Sequence, residues 1–215
     1  MTHCLPLKNS SYLEIFIGPM FSGKTSKLID VYNHCLLLNI PVAAINFFKD
    51  VRYGKDVIST HKNIQIPCLM CSEFLHDLYN PDGRDICNTE DQISKRLPTE
   101  QNISDAKVIL INEAQFFNDL DTWVQKMLTS KHKPNIFIAG LDGDSNRDKF
   151  GKILDLVPFC DKITKLTSFC THCNQNKLAI FSHRLSNHNS QQQLIGNSNK
   201  YMPLCRTCFE KLNTI

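Results

Sequence analysis

The segment with the clearest chemical meaning is a glycine-containing loop near the start of the chain. It reads Gly18, Pro19, Met20, Phe21, Ser22, Gly23, Lys24 and Thr25, which is the pattern G-x-x-x-x-G-K-[ST] in full. Such a loop wraps its backbone N–H groups around phosphate, and the helix that follows adds partial positive charge. Lys24 is expected to reach the β- and γ-phosphates of ATP, and Thr25 to offer its hydroxyl to Mg²⁺. The motif predicts a nucleoside-triphosphate site but does not distinguish a kinase from an ATPase or a GTPase.

A second polar group follows an apolar stretch in the middle of the chain. The stretch KVILI, residues 107–111, runs directly into Asn112 and Glu113. In P-loop proteins, an apolar strand beside the loop ends in an acid that binds the Mg²⁺ shell. The first polar residue here is the uncharged Asn112. Glu113 is predicted to orient or deprotonate an attacking hydroxyl; the alternative is that both residues simply begin an exposed loop.

Two pairs of cysteines near the C-terminus have the spacing of metal ligands. Each pair has two residues between its cysteines, and together they comprise Cys170, Cys173, Cys205 and Cys208. Four thiolates suit a closed structural Zn²⁺ site without an open position for catalysis. Redox chemistry is the alternative. A third pair, Cys68 and Cys71, lies in an apolar setting and is predicted to be two core thiols.

Alternating apolar segments must position these groups. Strands are predicted over residues 12–18, 41–48, 62–70, 107–111 and 135–140, and helices over 24–38, 72–78 and 120–130. Continuous apolar strands that alternate with helices indicate an α/β fold, with a parallel sheet covered by helices on both faces. We expect a P-loop domain over residues 1–168, with a surface insertion at 80–105. Residues 169–215, here called the zinc lobe, are expected to carry a loop that covers the nucleoside.

The composition is that of a globular protein. Of 215 residues, 42% are hydrophobic and 21% are charged, and the formal net charge is +3. A balance so mild favours neither a nucleic-acid partner nor a membrane partner. The sequence shows no signal-peptide features and no apolar run near the ~20 residues of a membrane helix. These features predict a cytoplasmic protein.

Taken together, the motifs resemble the thymidine kinase family of the cellular and poxviral type. The resemblance covers most of the chain, through GPMFSGKTSKLI, KDVRYG with the following STH, INEAQFF, GLDGDSNRDKFG and KYMPLCRTC, in that order. It implies ATP- and Mg²⁺-dependent phosphorylation of the 5′-hydroxyl of thymidine, and of deoxyuridine, in the salvage of DNA precursors. It also implies a homotetramer that is inhibited by thymidine triphosphate.

The resemblance also implies roles for individual residues. Glu113 matches the general base, Arg52 matches the arginine that stabilises charge on the transferred phosphoryl group, and Lys24 keeps its phosphate role. The Mg²⁺ position matches Thr25, Asn112 and Asp50. Phe150 matches the aromatic residue that packs on the thymine ring. The nucleoside-binding positions as a whole are Met20, Phe116, Leu141, Phe150, Ser182, Leu194, Ile195, Gly196 and Tyr201.

Asn112 departs from the family pattern, which usually has Asp at this position. Asparagine still accepts a hydrogen bond from metal-bound water but carries no negative charge, so we expect weaker Mg²⁺ binding with activity retained. The alternative is a catalytically weakened, nucleotide-binding regulatory protein. A further alternative is a P-loop ATPase with a zinc interaction module, which would hydrolyse ATP without any nucleoside. Retention of Glu113, Arg52, Lys24 and Phe150 favours the enzyme.

Overall fold

A computed structural model describes residues 10–52, 54–81, 101–173, 176–185 and 200–213 of the chain. The strands of its first part are β1 (Tyr12–Ile17), β2 (Val42–Phe47), β3 (Val57–Ser59), β4 (Gln65–Pro67), β5 (Leu69–Cys71), β6 (Val108–Ile111), β7 (Asn135–Gly140) and β8 (Lys162–Lys165). Six of them form a sheet in the order β5-β2-β6-β7-β1-β8, and every pairing in it is parallel. β3 and β4 form a separate antiparallel hairpin.

The sheet is covered on both faces, as the sequence predicts. Alternate residues of a strand point to opposite sides, so Val108 and Leu110 of β6 pack with helix α1 (Lys24–Leu37). Ile109 and Ile111 face the other side, where helix α2 (Leu120–Thr129) packs. A 3-10 helix, Ile153–Phe159, lies on the same side as α2. The predicted α/β class with a doubly covered parallel sheet is confirmed.

Local boundaries and strand order differ in three places from the expectation. Residues 62–70 contain two strands rather than one, because β4 ends at Pro67 and β5 begins at Leu69. The helix expected at 72–78 is a single 3-10 turn, Leu75–Asp77. The strand that ends in Asn112 is not beside β1, because β7 lies between them. Pairing partners are chosen by the whole sheet, so local patterns do not reveal them.

The end of the 80–105 segment belongs to the interior. Gln101 accepts a hydrogen bond from the backbone N–H of Ala44 at 3.0 Å and donates one to the carbonyl of Pro67 at 3.0 Å. Ile103 is 5% exposed and is part of the core. This end is therefore not the surface loop that its polar composition predicts. Residues 82–100 lie outside the described residues.

The zinc lobe is built from short elements. Its elements are β9 (Ser168–Phe169), which begins one residue before the lobe, β10 (Leu178–Ala179), β11 (Phe181–Arg184), β12 (Tyr201–Leu204) and helix α3 (Arg206–Asn213). β9 pairs with β10 and β11 pairs with β12, both antiparallel. Across the described ranges, no helix has the length and apolar character needed to cross a membrane.

Candidate functional site

The glycine-containing loop connects the carboxyl end of β1 to the start of α1. Gly18 has a φ of 140°, and a Cβ atom there would lie 2.3 Å from the carbonyl oxygen of Leu166. Gly23 has a φ of 85° and directly precedes the helix. Both positions therefore favour glycine. The backbone is shaped as an anion-binding turn at a helix N-terminus.

Lys24 is held inside this turn. Its Nζ donates hydrogen bonds to the carbonyl of Pro19 at 2.6 Å and to the Oγ of Ser22 at 3.5 Å. Burial lowers the pKa of Lys24 to about 8, although the nearby carboxylates of Glu113 and Asp142 act in the opposite direction. Burial removes the water that stabilises the charged ammonium group. A negatively charged ligand replaces that stabilisation, so the buried Lys24 favours an anion.

Asn112 and Glu113 stand at the carboxyl end of β6. The Thr25 hydroxyl donates to the Oδ1 of Asn112 at 3.4 Å, so two of the three residues predicted to bind Mg²⁺ lie side by side. Glu113 has a left-handed φ of 51° and precedes the 3-10 turn Ala114–Phe116. Strained backbone of this kind is often found at functional sites.

Arg52 connects the predicted acid groups. Its guanidinium donates to Asp50 at 3.0 Å and to Glu113 Oε1 at 2.6 Å. Burial by itself would lower the pKa of Arg52, but the two carboxylates outweigh this and raise the pKa above its ordinary value. Arg52 therefore keeps its positive charge in the site. A negatively charged phosphoryl group would compete with Glu113 for that guanidinium.

Gln115 is a site residue that the sequence did not reveal. It is 3% exposed, and its Nε2 donates to Glu113 Oε2 at 2.7 Å. Its Oε1 accepts a hydrogen bond from the backbone N–H of Leu141 at 3.0 Å, just beyond β7. Gln115 thus holds Glu113 against the neighbouring strand. Its place in the INEAQFF motif, two residues after Glu113, was the available signal.

Aromatic rings form the apolar side of the site. Phe116 stacks on Phe47 with ring centroids 4.8 Å apart, and Phe150 meets Phe116 edge-to-face at 5.5 Å. The turn before Phe150 is held by Asp144 Oδ1, which accepts hydrogen bonds from the backbone N–H groups of Asn146 and Asp148. Walls of this kind suit a flat, uncharged base.

The zinc lobe closes the site from the opposite side. Ser182 is 5% exposed, and its Oγ accepts a hydrogen bond from the backbone N–H of Met20 at 2.9 Å. Tyr201 is also buried, and its hydroxyl accepts a hydrogen bond from Arg184 at 3.2 Å. β11 therefore brings Ser182 against the phosphate-binding loop, and β12 places Tyr201 in the lining of the same cavity.

Most of the predicted residues line one cavity. The predicted residues among its walls are Met20, Phe21, Ser22, Gly23, Lys24, Thr25, Arg52, Asn112, Glu113, Phe116, Leu141, Phe150, Ser182 and Tyr201. Gly18, Pro19 and Asp50 are buried and support this lining. His61, a wall residue without a predicted role, packs its ring against Phe21 with centroids 4.7 Å apart. Leu194, Ile195 and Gly196 lie outside the described residues.

Comparison with known proteins decides the family. A family model described as "Thymidine kinase" matches residues 11–209. The chain belongs to the thymidine kinase family. It is 35% identical over 202 residues to "Thymidine kinase a" of Arabidopsis thaliana, a match that covers 94% of this chain and 76% of the relative.

Viral members of the thymidine kinase family are similar over almost their full length. The chain is 32% identical over 206 residues to the thymidine kinase of Yaba monkey tumor virus, covering 95% of this chain and 97% of the relative. It is 34% identical over 202 residues to that of Amsacta moorei entomopoxvirus, covering 92% and 97%. The predicted resemblance is thereby confirmed.

In this member of the thymidine kinase family, the two cysteine pairs converge. The sulfur atoms of Cys170, Cys173, Cys205 and Cys208 all lie within 4.8 Å of one another. Burial would raise the pKa of Cys170, but backbone hydrogen bonds from Cys173, Cys205 and His172 outweigh it and lower the pKa to about 6. The donor set fits tetrahedral Zn²⁺. Cys68 and Cys71 are buried free thiols, as predicted.

Proposed function

We propose that this chain transfers the γ-phosphoryl group of ATP to the 5′-hydroxyl of thymidine, and of deoxyuridine. Membership of the thymidine kinase family supports the reaction. The observation that carries it is that Lys24, Arg52 and Glu113 share one cavity with Phe116 and Phe150. The cavity thus joins cationic groups and a carboxylate to an aromatic wall. The match of residues 11–209 to the thymidine kinase family model favours this reaction over a hydrolytic ATPase.

The reaction requires an oriented hydroxyl and dispersed positive charge. Glu113 takes the proton as the 5′-oxygen of thymidine bonds to the γ-phosphorus, and the bond to the departing ADP breaks. Gln115 holds the second oxygen of Glu113 at 2.7 Å, which leaves Oε1 as the proton acceptor. Arg52 also donates to Oε1. We therefore propose that Arg52 leaves Oε1 and binds the phosphoryl group, while the 5′-hydroxyl of thymidine takes over the contact with Oε1.

The phosphates are held by the loop from Gly18 to Thr25, with Lys24 as the cation. Thr25, Asn112 and Asp50 would hold Mg²⁺ with the nucleotide, and their oxygen atoms fit the preference of that ion. When bound, Mg²⁺ neutralises charge on the β- and γ-phosphates. Asn112 contributes a neutral oxygen, so we propose weaker Mg²⁺ binding than with Asp at this position.

The nucleoside is placed between the aromatic wall and the zinc lobe. We propose that Phe150 packs on the base and that Phe116, Leu141, Met20, Ser182 and Tyr201 surround it. Leu194, Ile195 and Gly196 would cover it, and Zn²⁺ would hold the two ends of the covering segment. We propose two domains on this basis: residues 1–168 bind ATP, and residues 169–215 carry the segment that covers the nucleoside.

The wider properties of the family complete the proposal. We propose a cytoplasmic homotetramer that acts in the salvage of DNA precursors and has no nucleic-acid or membrane partner. Thymidine triphosphate is proposed as a feedback inhibitor, because it would present a base and a triphosphate to the same cavity. Neither the described residues nor the matches to the thymidine kinase family support the regulatory alternative.

ATP consumption by the purified protein, with Mg²⁺ and with or without thymidine, tests the proposal. Turnover should depend on thymidine, and Glu113→Gln should lower kcat by about 10²- to 10⁴-fold while thymidine binding is kept. Equal ATP turnover without thymidine would support the ATPase alternative. ATP binding without any turnover would revive the regulatory alternative and make Asn112→Asp the first reversion to test.

A further inference from the structure

Asn112 has a buried neighbour that the proposed reaction does not use. Asn46 is 1% exposed and Asn112 is 4% exposed, and the Nδ2 of Asn112 donates to the Oδ1 of Asn46 at 3.0 Å. Asn46 lies in β2 and Asn112 directly follows the adjacent strand β6, with Ile45 in register with Ile111. The Asn112 backbone N–H also donates to the carbonyl of Ile45 at 2.9 Å. The amide pair is thus placed by the sheet itself.

An asparagine side chain has a donor end and an acceptor end, and the two differ in what they can bind. With its Nδ2 directed to Asn46, Asn112 directs its Oδ1 to the Thr25 hydroxyl at 3.4 Å. The reversed amide would present N–H groups to Thr25 instead. Such a group can neither ligate a cation nor accept a hydrogen bond from metal-bound water.

We infer that Asn46 is a positioning residue for the divalent cation, because its side-chain oxygen holds the Asn112 amide with the acceptor end towards Thr25. The inference rests on the proposed Mg²⁺ site. The pair carries no charge, so it can be buried without a counter-ion, which a lone buried carboxylate would need. Asn46 acts through Asn112 and is not itself proposed to touch the metal or the nucleotide.

The test measures Mn²⁺ binding by electron paramagnetic resonance, in the presence of a non-hydrolysable ATP analogue. Asn46→Leu should weaken Mn²⁺ binding about tenfold, as removal of an outer-shell partner does. Asn46→Asp keeps an acceptor in the same place, and its Mn²⁺ affinity should equal or exceed that of the unaltered chain. In an Asn112→Leu background, Asn46→Leu should cause no further loss, because no amide remains to be oriented.

Two controls separate positioning from damage to the fold. Binding of the analogue without divalent cation, and binding of thymidine, should be the same for Asn46→Leu as for the unaltered chain. Asn46→Ala serves the same comparison where Asn46→Leu does not fold. Unchanged Mn²⁺ affinity in Asn46→Leu, or an equal loss in both backgrounds, would overturn the inference.

Failure of this inference is distinguishable from failure of the proposed function. Thymidine-dependent turnover of the unaltered chain tests the function alone. If turnover is present and the Asn46 variants bind Mn²⁺ normally, the inference is wrong and the function stands. If the unaltered chain with the analogue binds no Mn²⁺, both the proposed Mg²⁺ site and the inference are wrong.

Discussion

The parallel sheet buries apolar residues on both faces, with α1 on one side and α2 on the other. Among the described residues of the zinc lobe, the buried cluster is small: it contains Ala179, Leu204 and Phe209 beside three of the four cysteines. A core of that size provides little hydrophobic stabilisation, and such units usually depend on a metal. The sheet is therefore stabilised by apolar burial, and we expect the lobe to depend on a metal bound by its four cysteines.

This difference has a functional consequence, because both regions contribute residues to the lining of the cavity. The phosphate-binding loop stands on β1 and α1, and the lobe adds to it the hydrogen bond that Ser182 accepts from the Met20 backbone N–H. The proposed nucleoside site includes Ser182 and Tyr201, which are carried by β11 and β12. The lobe should therefore be the part that can be lost while nucleotide binding survives.

The largest expected effect comes from a substitution that disrupts the lobe and leaves the sheet intact. Cys173→Ser removes one of the four sulfur ligands, so Zn²⁺ affinity should fall by at least about tenfold, and the KM for thymidine should rise with it. Binding of an ATP analogue should change by less than about twofold, because the loop at Gly18 to Thr25 is carried by β1 and α1. Zinc content by atomic absorption, KM and calorimetric binding of the analogue check this.

Cys160→Ser is the matched control for that substitution. Cys160 is a half-buried free thiol outside the cluster, and its Sγ donates to the carbonyl of Val157 at 3.2 Å. It should leave both zinc content and the KM for thymidine unchanged. Loss of ATP-analogue binding in Cys173→Ser would show that the two regions are not separable in this way.

The next largest effect concerns the phosphate-binding loop, where the charge of Lys24 should make nucleotide affinity depend on pH. Burial lowers the pKa of Lys24 to about 8, and bound phosphates should raise it again. Nucleotide binding therefore takes up a proton above that pH, so affinity should fall by up to about tenfold per pH unit as pH rises through about 8. Below that pH, Lys24 is already protonated, so its titration should no longer change the affinity for the nucleotide.

Calorimetric titration with an ATP analogue between about pH 7 and about pH 9.5 measures this dependence. In Lys24→Met the affinity should be lower and should not vary with pH in this range. Thymidine binding serves as the internal comparison, because the lobe side of the site does not contain Lys24. A pH dependence that persists in Lys24→Met would assign the proton uptake to another group.

The smallest effect concerns the contact that joins the two regions. Arg147 comes from the turn before Phe150, and its guanidinium lies 5.1 Å from the ring centroid of Phe209 and 5.8 Å from that of Phe181. Exposed cation–π contacts contribute about 0.5–1 kcal/mol each. Because one exposed guanidinium is shared between the two rings, the value of a single contact applies, and Arg147→Ala should raise the KM for thymidine by about two- to fivefold, with kcat and zinc content little changed.

Arg206→Ala provides the matched control for the joining contact. Arg206 also lies over the Phe181 ring, at 5.2 Å, but it belongs to α3 and so to the lobe itself. Its removal should leave the KM for thymidine near that of the unaltered chain. An equal rise in KM from both substitutions would mean that Arg147 acts on the stability of the lobe rather than on its docking.

Part of the site was predictable because it is local in the chain. The loop from Gly18 to Thr25 needs its residues in order, and the apolar strand before Asn112 and Glu113 has a visible end. Gln115 was not predictable as a positioning residue, because its role depends on meeting Leu141 beyond β7. The burial of Ile103 was also not predictable. Its neighbours in the sequence are polar, so one apolar residue among them gives no periodic pattern.

By itself, the amino-acid sequence determined the chemical groups of this protein: a phosphate-binding loop, a carboxylate after a strand and four cysteines in pairs. It also determined the alternation of strands and helices, since periodicity follows from which side of each element is apolar. The tertiary structure alone decided the strand order, with β7 between β1 and β6, the joining of Arg52 to Glu113, and the pairing of Asn46 with Asn112. Each of these depends on which segments, distant in the chain, come together at the same end of the sheet. That arrangement is determined by how the whole chain buries its apolar residues.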